Sequence, residues 1–251
     1  MKDIKEKTRD NLKLLYERRG YDMTVAVARE ILGRNVNKAL AKAPDIDKKV
    51  FKTSVNGELG ESVLEIAVLE YCKNNPKETK DWFYTKSMIL KDPTNPKSEF
   101  LTELDFTLFT PECIYLFECK SYSGNKKLVD RGMLLRDCGN SCDVFQQSYV
   151  HIETLDKNIA GYVEHGCKPN YKMVMFNFSK GDLSDLRDDK AKYFMPCVDE
   201  CNWQQVLLRG ANRVWNLNRL RPAIDKIYSA SDKLRAEHLH YVRSRHKGGN
   251  I

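Results

Sequence analysis

The chain has no apolar run approaching the roughly 20 residues needed to span a bilayer, so no segment of it reads as a membrane helix. Its N-terminus, MKDIKEKTRDNLKLL, has neither the apolar centre nor the small-residue cleavage site of a secretory signal, and the cytoplasm is the expected compartment. Internal repeats and low-complexity tracts are also missing. What remains, at 41% hydrophobic and 31% charged residues, is the composition of a soluble globular protein. The eight cysteines could suggest disulfides, but they are scattered through a mid-sized chain with no secretory signal, which favours reduced thiols. Most read as small buried hydrophobes. Cys138 with Cys142 and Cys197 with Cys201 have C-x3-C spacing, with His165 and Cys167 between them. A structural zinc site is the alternative reading, although this is not the spacing of a ribbon or finger.

An excess of one charge sign is present but small: 42 basic against 35 acidic residues give a formal charge of +7 and a pI near 8.9. That balance favours an anionic partner, nucleic acid, with DNA ahead of RNA. A solvated surface with a basic bias satisfies the same numbers, and a second copy of the chain, as a homodimer, is a further candidate partner. With 251 residues, one main domain with additions fits about as well as two small domains.

Apolar residues at Ile4, Leu12, Leu15 and Tyr16, then at Val25, Val27, Ala28, Ile31 and Leu32, predict two opening helices closed by Gly20 and Gly33. A polar, basic stretch around Lys38 to Lys49 follows. From Gly60 to Tyr71 the run Val63, Leu64, Ile66, Ala67, Val68 and Leu69 predicts a buried helix stopped by Asn74 to Pro76. Glu58, Glu61 and Glu65 can share one face of it. Trp82 to Leu90 reads as a strand and Lys91 to Ser98 as a loop. LTELDFTLF sets Leu101, Glu103, Asp105 and Thr107 against Thr102, Leu104, Phe106 and Leu108, and CIYLFECKSY completes a hairpin across Pro111 and Glu112. Gly124 to Gly139 reads as a basic loop, Val144 to Leu155 as a helix, and Lys172 to Phe178 as an apolar strand. A strand is expected near Lys192 to Val198, helical spacing over 203 to 228, and a charged tail from Ser231.

Alternation in a strand puts Glu118 and Lys120 on one face, roughly 7 Å apart, with the Cys119 side chain pointing the other way. If the hairpin turns symmetrically, Asp105 falls opposite Glu118. Opposed carboxylates repel, and a partly buried pair needs compensation. A divalent cation such as Mg²⁺ or Mn²⁺ supplies it, since it takes hard oxygen ligands and keeps sites for phosphate oxygens. Lys120 beside it would orient the attacking water and neutralise charge in the transition state, which is the chemistry of phosphodiester hydrolysis. Taken alone, an E-x-K triplet is more often a solvent-facing decoration. Here the flanking Tyr115, Leu116 and Phe117 form an apolar run buried on both faces, and charges ending such a run need a reason.

The order GELGE (Gly57 to Glu61), ELD (Glu103 to Asp105), FECKSYSG (Phe117 to Gly124) and QQSYVH (Gln146 to His151) resembles the nuclease-related NERD domain of the PD-(D/E)XK superfamily. It covers roughly residues 55 to 180. The resemblance implies an α/β fold with a restriction-endonuclease-like core: a four-stranded mixed central sheet flanked by helices, here with extra helical N- and C-terminal segments. The expected layout is an N-terminal helical arm over 1–50, the nuclease-like core over 51–200 and a helical extension over 201–251. The resemblance further implies Asp105, Glu118, Lys120, Glu61 and Gln147 as catalytic residues, with Asp105, Glu118, Cys119 and Glu61 as candidate metal ligands. His151 sits one turn beyond Gln147. The first strand carries Leu104-Asp105-Phe106 where the family usually has Ile-Asp-His, and Asp143-Val144 replaces an Asn-Pro before the glutamine.

Weaker candidates accompany these. Lys86, Lys126, Lys127 and Arg131 could meet phosphates or simply be solvated, Tyr122 could stack on a base or cap the hairpin, and Glu58 is better read as a helix-start charge. The expected activity is a Mg²⁺- or Mn²⁺-dependent nuclease, with restriction, defence or repair as its setting. One alternative is a nuclease-like fold that binds nucleic acid or protein without cleaving; another is an interaction protein whose helical arms do the work.

Overall fold

Lysine, leucine and arginine, all good helix formers, dominate the first stretch of the chain, which forms helix α1, Lys2–Arg19. Gly20 stops it at φ 87, a left-handed position that favours glycine, and its N–H donates to the Tyr16 carbonyl at 2.9 Å. Helix α2, Tyr21–Gly33, ends at the expected glycine. The computed structural model describes residues 2–33, 48–95, 100–120, 126–129, 133–136, 141–163, 169–178, 195–208 and 217–247.

Helix α3, Lys48–Asn74, starts well before the expected Gly60. Gly57 and Gly60 therefore lie inside it, at a cost of about 1 kcal/mol each relative to alanine. Tertiary packing offsets that cost: Val55, Leu59, Val63 and Ile66 share one buried cluster with Leu12 of α1 and Ala28 of α2. The helix ends at Asn74, as the following Asn75-Pro76 required.

Five strands make the main sheet: β1 (Phe83–Lys91), β2 (Leu101–Phe109), β3 (Ile114–Lys120), β7 (Tyr171–Asn177) and β8 (Cys197–Val198), in the order β1-β2-β3-β7-β8. The first three are antiparallel, whereas β7 runs parallel to β3 and β8 parallel to β7. The sheet is thus mixed, with one strand more than the four expected. Phe106 pairs with Phe117 and Thr107 with Leu116, the register of a hairpin turning symmetrically about Pro111 and Glu112. Helix α4 (Val144–Ile159) makes the crossover from β3 to β7, which a parallel pair requires.

Between β3 and α4, the segment expected to be a loop contains a second, three-stranded sheet: β4 (Lys126–Val129), β5 (Met133–Arg136) and β6 (Ser141–Asp143). Strands of three or four residues carry little local signal and hold only through pairing. The helix expected over 203 to 228 is also revised. Trp203–Val206 is a single 3₁₀ turn, and α5 runs Leu217–Lys247, taking in the expected tail as far as Lys247.

Helices cover both sheet faces. Phe106, Leu108, Tyr115, Phe117, Val174 and Phe176 pack under α1 to α3. On the other face Met88, Leu104, Ile114 and Leu116 meet Leu155 and Ile159 of α4 and Leu217, Leu220 and Ile224 of α5. This layering is an α/β domain built around one sheet. None of the described helices is long and apolar enough to cross a membrane.

The expected alternation along β2 breaks at Asp105. Leu104 belongs to the second cluster, yet Phe106, two residues on, belongs to the first. Neighbouring β1 breaks at the same level: Ser87 has φ 51, and the ladder pairs Lys86 with Phe106 and Met88 with Leu104 while Ser87 and Asp105 make no pair. A kink in both strands therefore removes Asp105 from the ladder.

Candidate active site

Side chains from five elements meet around the kink. Asp105 leaves β2, and its Oδ2 accepts the main-chain N–H of Cys119 on β3 at 2.8 Å. One residue to either side of Cys119, the Glu118 carboxylate and the Lys120 ammonium are hydrogen-bonded to each other through Oε1 and Nζ. Lys120 Nζ also lies 3.4 Å from Gln147 Oε1 on α4. One turn further along that helix, His151 Nδ1 is 3.4 Å from Glu118 Oε2. From the opposite face, Glu61 of α3 accepts the Ser87 hydroxyl at 2.9 Å.

The electrostatics follow from this crowding. Burial first, then the charges of Glu118 and Glu61, push the Asp105 carboxyl well above its ordinary range, against the lowering pull of Lys120. His151 moves the other way, because burial and Lys120 lower its basicity more than Glu118 raises it. Its contact with Glu118 is accordingly that of a neutral imidazole at neutral pH. Cys119 packs its side chain on the first core cluster, and burial together with Asp105, Glu61 and Glu118 keeps the thiol protonated. Its evident contribution to the site is the N–H held by Asp105.

Glu61, Asp105, Glu118, Lys120 and Gln147 thus converge, joined by His151. Glu58 and Lys86 do not take the expected roles. Glu58 sits inside α3, not in its first turn, and Lys86, at 4% side-chain exposure, is neither solvated nor open to phosphate. Instead Lys86 Nζ lies 2.5 Å from Glu58 Oε1, 3.7 Å from Glu65 Oε2 and 3.0 Å from Ser62 Oγ. The three acids on one face of α3 therefore divide: the outer two bracket a buried lysine, and the middle one reaches the site. Cys138, His165, Cys167, Tyr122 and Arg131 lie outside the described residues, as do the side chains of Cys142, Lys126 and Lys127.

Two polar groups were missed by sequence reasoning. Asn177 is buried at the end of β7 in register with Lys120, and a polar residue closing an apolar strand was its available signal. Ser87 had none, since only the kink turns it toward Glu61.

Among the described residues, no three His, Cys, Asp or Glu side chains are already arranged as a metal cage; it is Lys120 that meets Glu118. The donors near Asp105 are nonetheless the hard carboxylate oxygens that suit Mg²⁺ or Mn²⁺. Burial first, then repulsion from Glu118 and Glu61, raises the Asp105 carboxyl, and a cation would relieve both.

A search of curated proteins and one of solved structures each found no match. Residues 57–177, the stretch that supplies Glu61, Asp105, Glu118, Lys120 and Gln147, match the family model of NERD, the nuclease-related domain.

Proposed function

We propose that the chain is a divalent-metal-dependent nuclease of the PD-(D/E)XK class, hydrolysing phosphodiester bonds of nucleic acid, DNA before RNA, in restriction, defence or repair. The observation that carries this is the convergence of Asp105, held on the Cys119 N–H, with the Glu118–Lys120 pair, Gln147 and Glu61 at the strand kink, a crowding that also pushes the Asp105 carboxyl up. A recessed acid cluster of this kind gains from a cation at neutral pH and is costly without one. Asp105, Glu118 and Glu61 would hold Mg²⁺ or Mn²⁺, which when bound supplies charge neutralisation at the phosphate and a more acidic water.

The remaining residues act on the nucleophile and on each other. Lys120, tethered between Glu118 and Gln147, orients the attacking water and offers positive charge where phosphate oxygens gain negative charge. Gln147 holds the ammonium on the site face. His151, neutral, fixes the orientation of Glu118. The positive balance of the chain suits a polyanionic substrate.

Incubating the purified protein with plasmid, linear, single-stranded and RNA substrates in Mn²⁺ or Mg²⁺, beside Asp105→Ala and Lys120→Ala, tests the proposal. Metal-dependent cleavage lost in both variants supports it. Metal binding without cleavage of any substrate would identify a silent nuclease-like binding module, and neither binding nor cleavage would refute the metal site outright.

A further inference from the structure

Helix α5 lies beyond the matched stretch of 57–177, yet it bonds to the strand kink on which the site depends. Three of its residues, spaced so as to share one helix face, reach the backbone of β1. The Tyr228 hydroxyl donates to the Lys86 carbonyl at 3.0 Å, Ser231 Oγ accepts the Ile89 N–H at 2.7 Å, and Arg235 Nη2 donates to the Ser87 carbonyl at 3.3 Å. β1 is an edge strand, and its ladder to β2 is interrupted at Ser87. Polar backbone groups there need other partners, and α5 supplies them. The same helix also grips the second kinked strand: Arg235 Nη1 and His238 Nδ1 lie 3.9 and 3.5 Å from the Glu103 carboxylate, two residues before Asp105.

Resting on the nuclease reading above, we infer that α5 is part of the active-site apparatus, with Tyr228, Ser231 and Arg235 as positioning residues. They hold the β1 kink so that the Ser87 hydroxyl fixes Glu61 while Asp105 stays out of the ladder. A positive φ at Ser87 is a conformation a serine rarely adopts, and it persists only where its surroundings impose it. The bonds from α5 are that imposition. The nuclease-related stretch alone therefore lacks a wall of its own site.

The test uses the full chain, plasmid DNA and Mn²⁺ titrated at a temperature well below every melting point. Arg235→Gln, at a partly exposed position that will not unfold the protein, and Ser231→Ala should raise the Mn²⁺ needed for half-maximal cleavage about 10- to 100-fold, the usual effect of losing a residue that orients metal ligands. KM for DNA should stay unchanged, and Ser231→Thr, which keeps the hydroxyl, should behave as the parent. If the parent cleaves and Asp105→Asn does not, unaltered Mn²⁺ dependence in Arg235→Gln and Ser231→Ala overturns this inference and leaves the nuclease reading standing. If the parent does not cleave, calorimetric Mn²⁺ binding replaces the rate: weaker binding by Arg235→Gln supports the inference, and equal binding overturns it. A parent that neither cleaves nor binds Mn²⁺ overturns both.

Discussion

Replacing Lys86 by methionine should unfold the protein more readily while leaving no vacancy in the site itself. The ammonium sits at 4% side-chain exposure between Glu58 and Glu65, themselves 5% and 4% exposed. Removing one partner of a buried ion pair costs about 3–5 kcal/mol, because an uncompensated charge is left behind. The cost should not double here. Glu65 keeps Lys13 at 2.8 Å and the Tyr84 hydroxyl at 2.8 Å, so Glu58, left with Ser62 at 3.1 Å, is the orphan. At roughly 2–4 °C per kcal/mol for a chain of about this size, the melting point should fall by about 6–20 °C. Urea and thermal melts followed by circular dichroism and by tryptophan fluorescence measure it, with coincidence of the two probes as the check on two-state behaviour. Adding Glu58→Gln should restore most of the loss, and adding Glu65→Gln should restore less. A Lys86→Met protein within about 1 kcal/mol of the parent would refute the buried-network argument, as would lost DNA affinity with unchanged stability, the signature of a phosphate contact.

Other outcomes follow from the same geometry. Asp105→Asn should abolish cleavage yet stabilise the fold at neutral pH by about 0.5–2 kcal/mol, the usual gain from relieving an unfavourable site. Because the folded carboxyl titrates above its unfolded value, that gain should be absent below about pH 4 and grow as pH rises; equal melting points of the two proteins at pH 7 would contradict it. Glu65 has the opposite sign. Burial raises its pKa, but Lys86, Lys13 and Tyr84 together lower it further. Its stabilisation is therefore present above the unfolded value near 4.5 and is lost as pH falls through the folded one, so Glu65→Gln should flatten the acid limb of a pH melt. Phe106→Ala removes a buried ring stacked on Tyr84 and edge-on to Phe117, and should cost about 3–5 kcal/mol in a urea titration. Gln147→Ala should lower the cleavage rate about 10- to 100-fold with the fold intact, and an unaltered rate would remove Gln147 from the site.

The sequence by itself determined the parts whose cause is local. Gly20 and Gly33 end α1 and α2 because few other residues end a helix so readily, and Asn75-Pro76 stops α3. Alternation with an apolar run made β2 and β3 legible, the short turn set their register, and strand periodicity put Glu118 and Lys120 on one face, whereas Glu61 and Gln147 were expected only from the family resemblance. What lay outside reach depends on partners distant in the chain. The stretch of α3 around Gly57 and Gly60 is helical despite two glycines because Val55, Leu59 and Val63 share a buried cluster with Leu12 of α1 and Ala28 of α2. The sheet of β4 to β6 exists only through pairing. Lys86 reads as a surface cation until Glu58 and Glu65 close over it. The kink at Ser87 is the decisive case: no residue near it announces a positive φ, and the groups that satisfy its backbone, Tyr228, Ser231 and Arg235, come from the far end of the chain. Local pattern chose the chemistry, and tertiary packing, by breaking the ladder at Asp105, gave that chemistry its place.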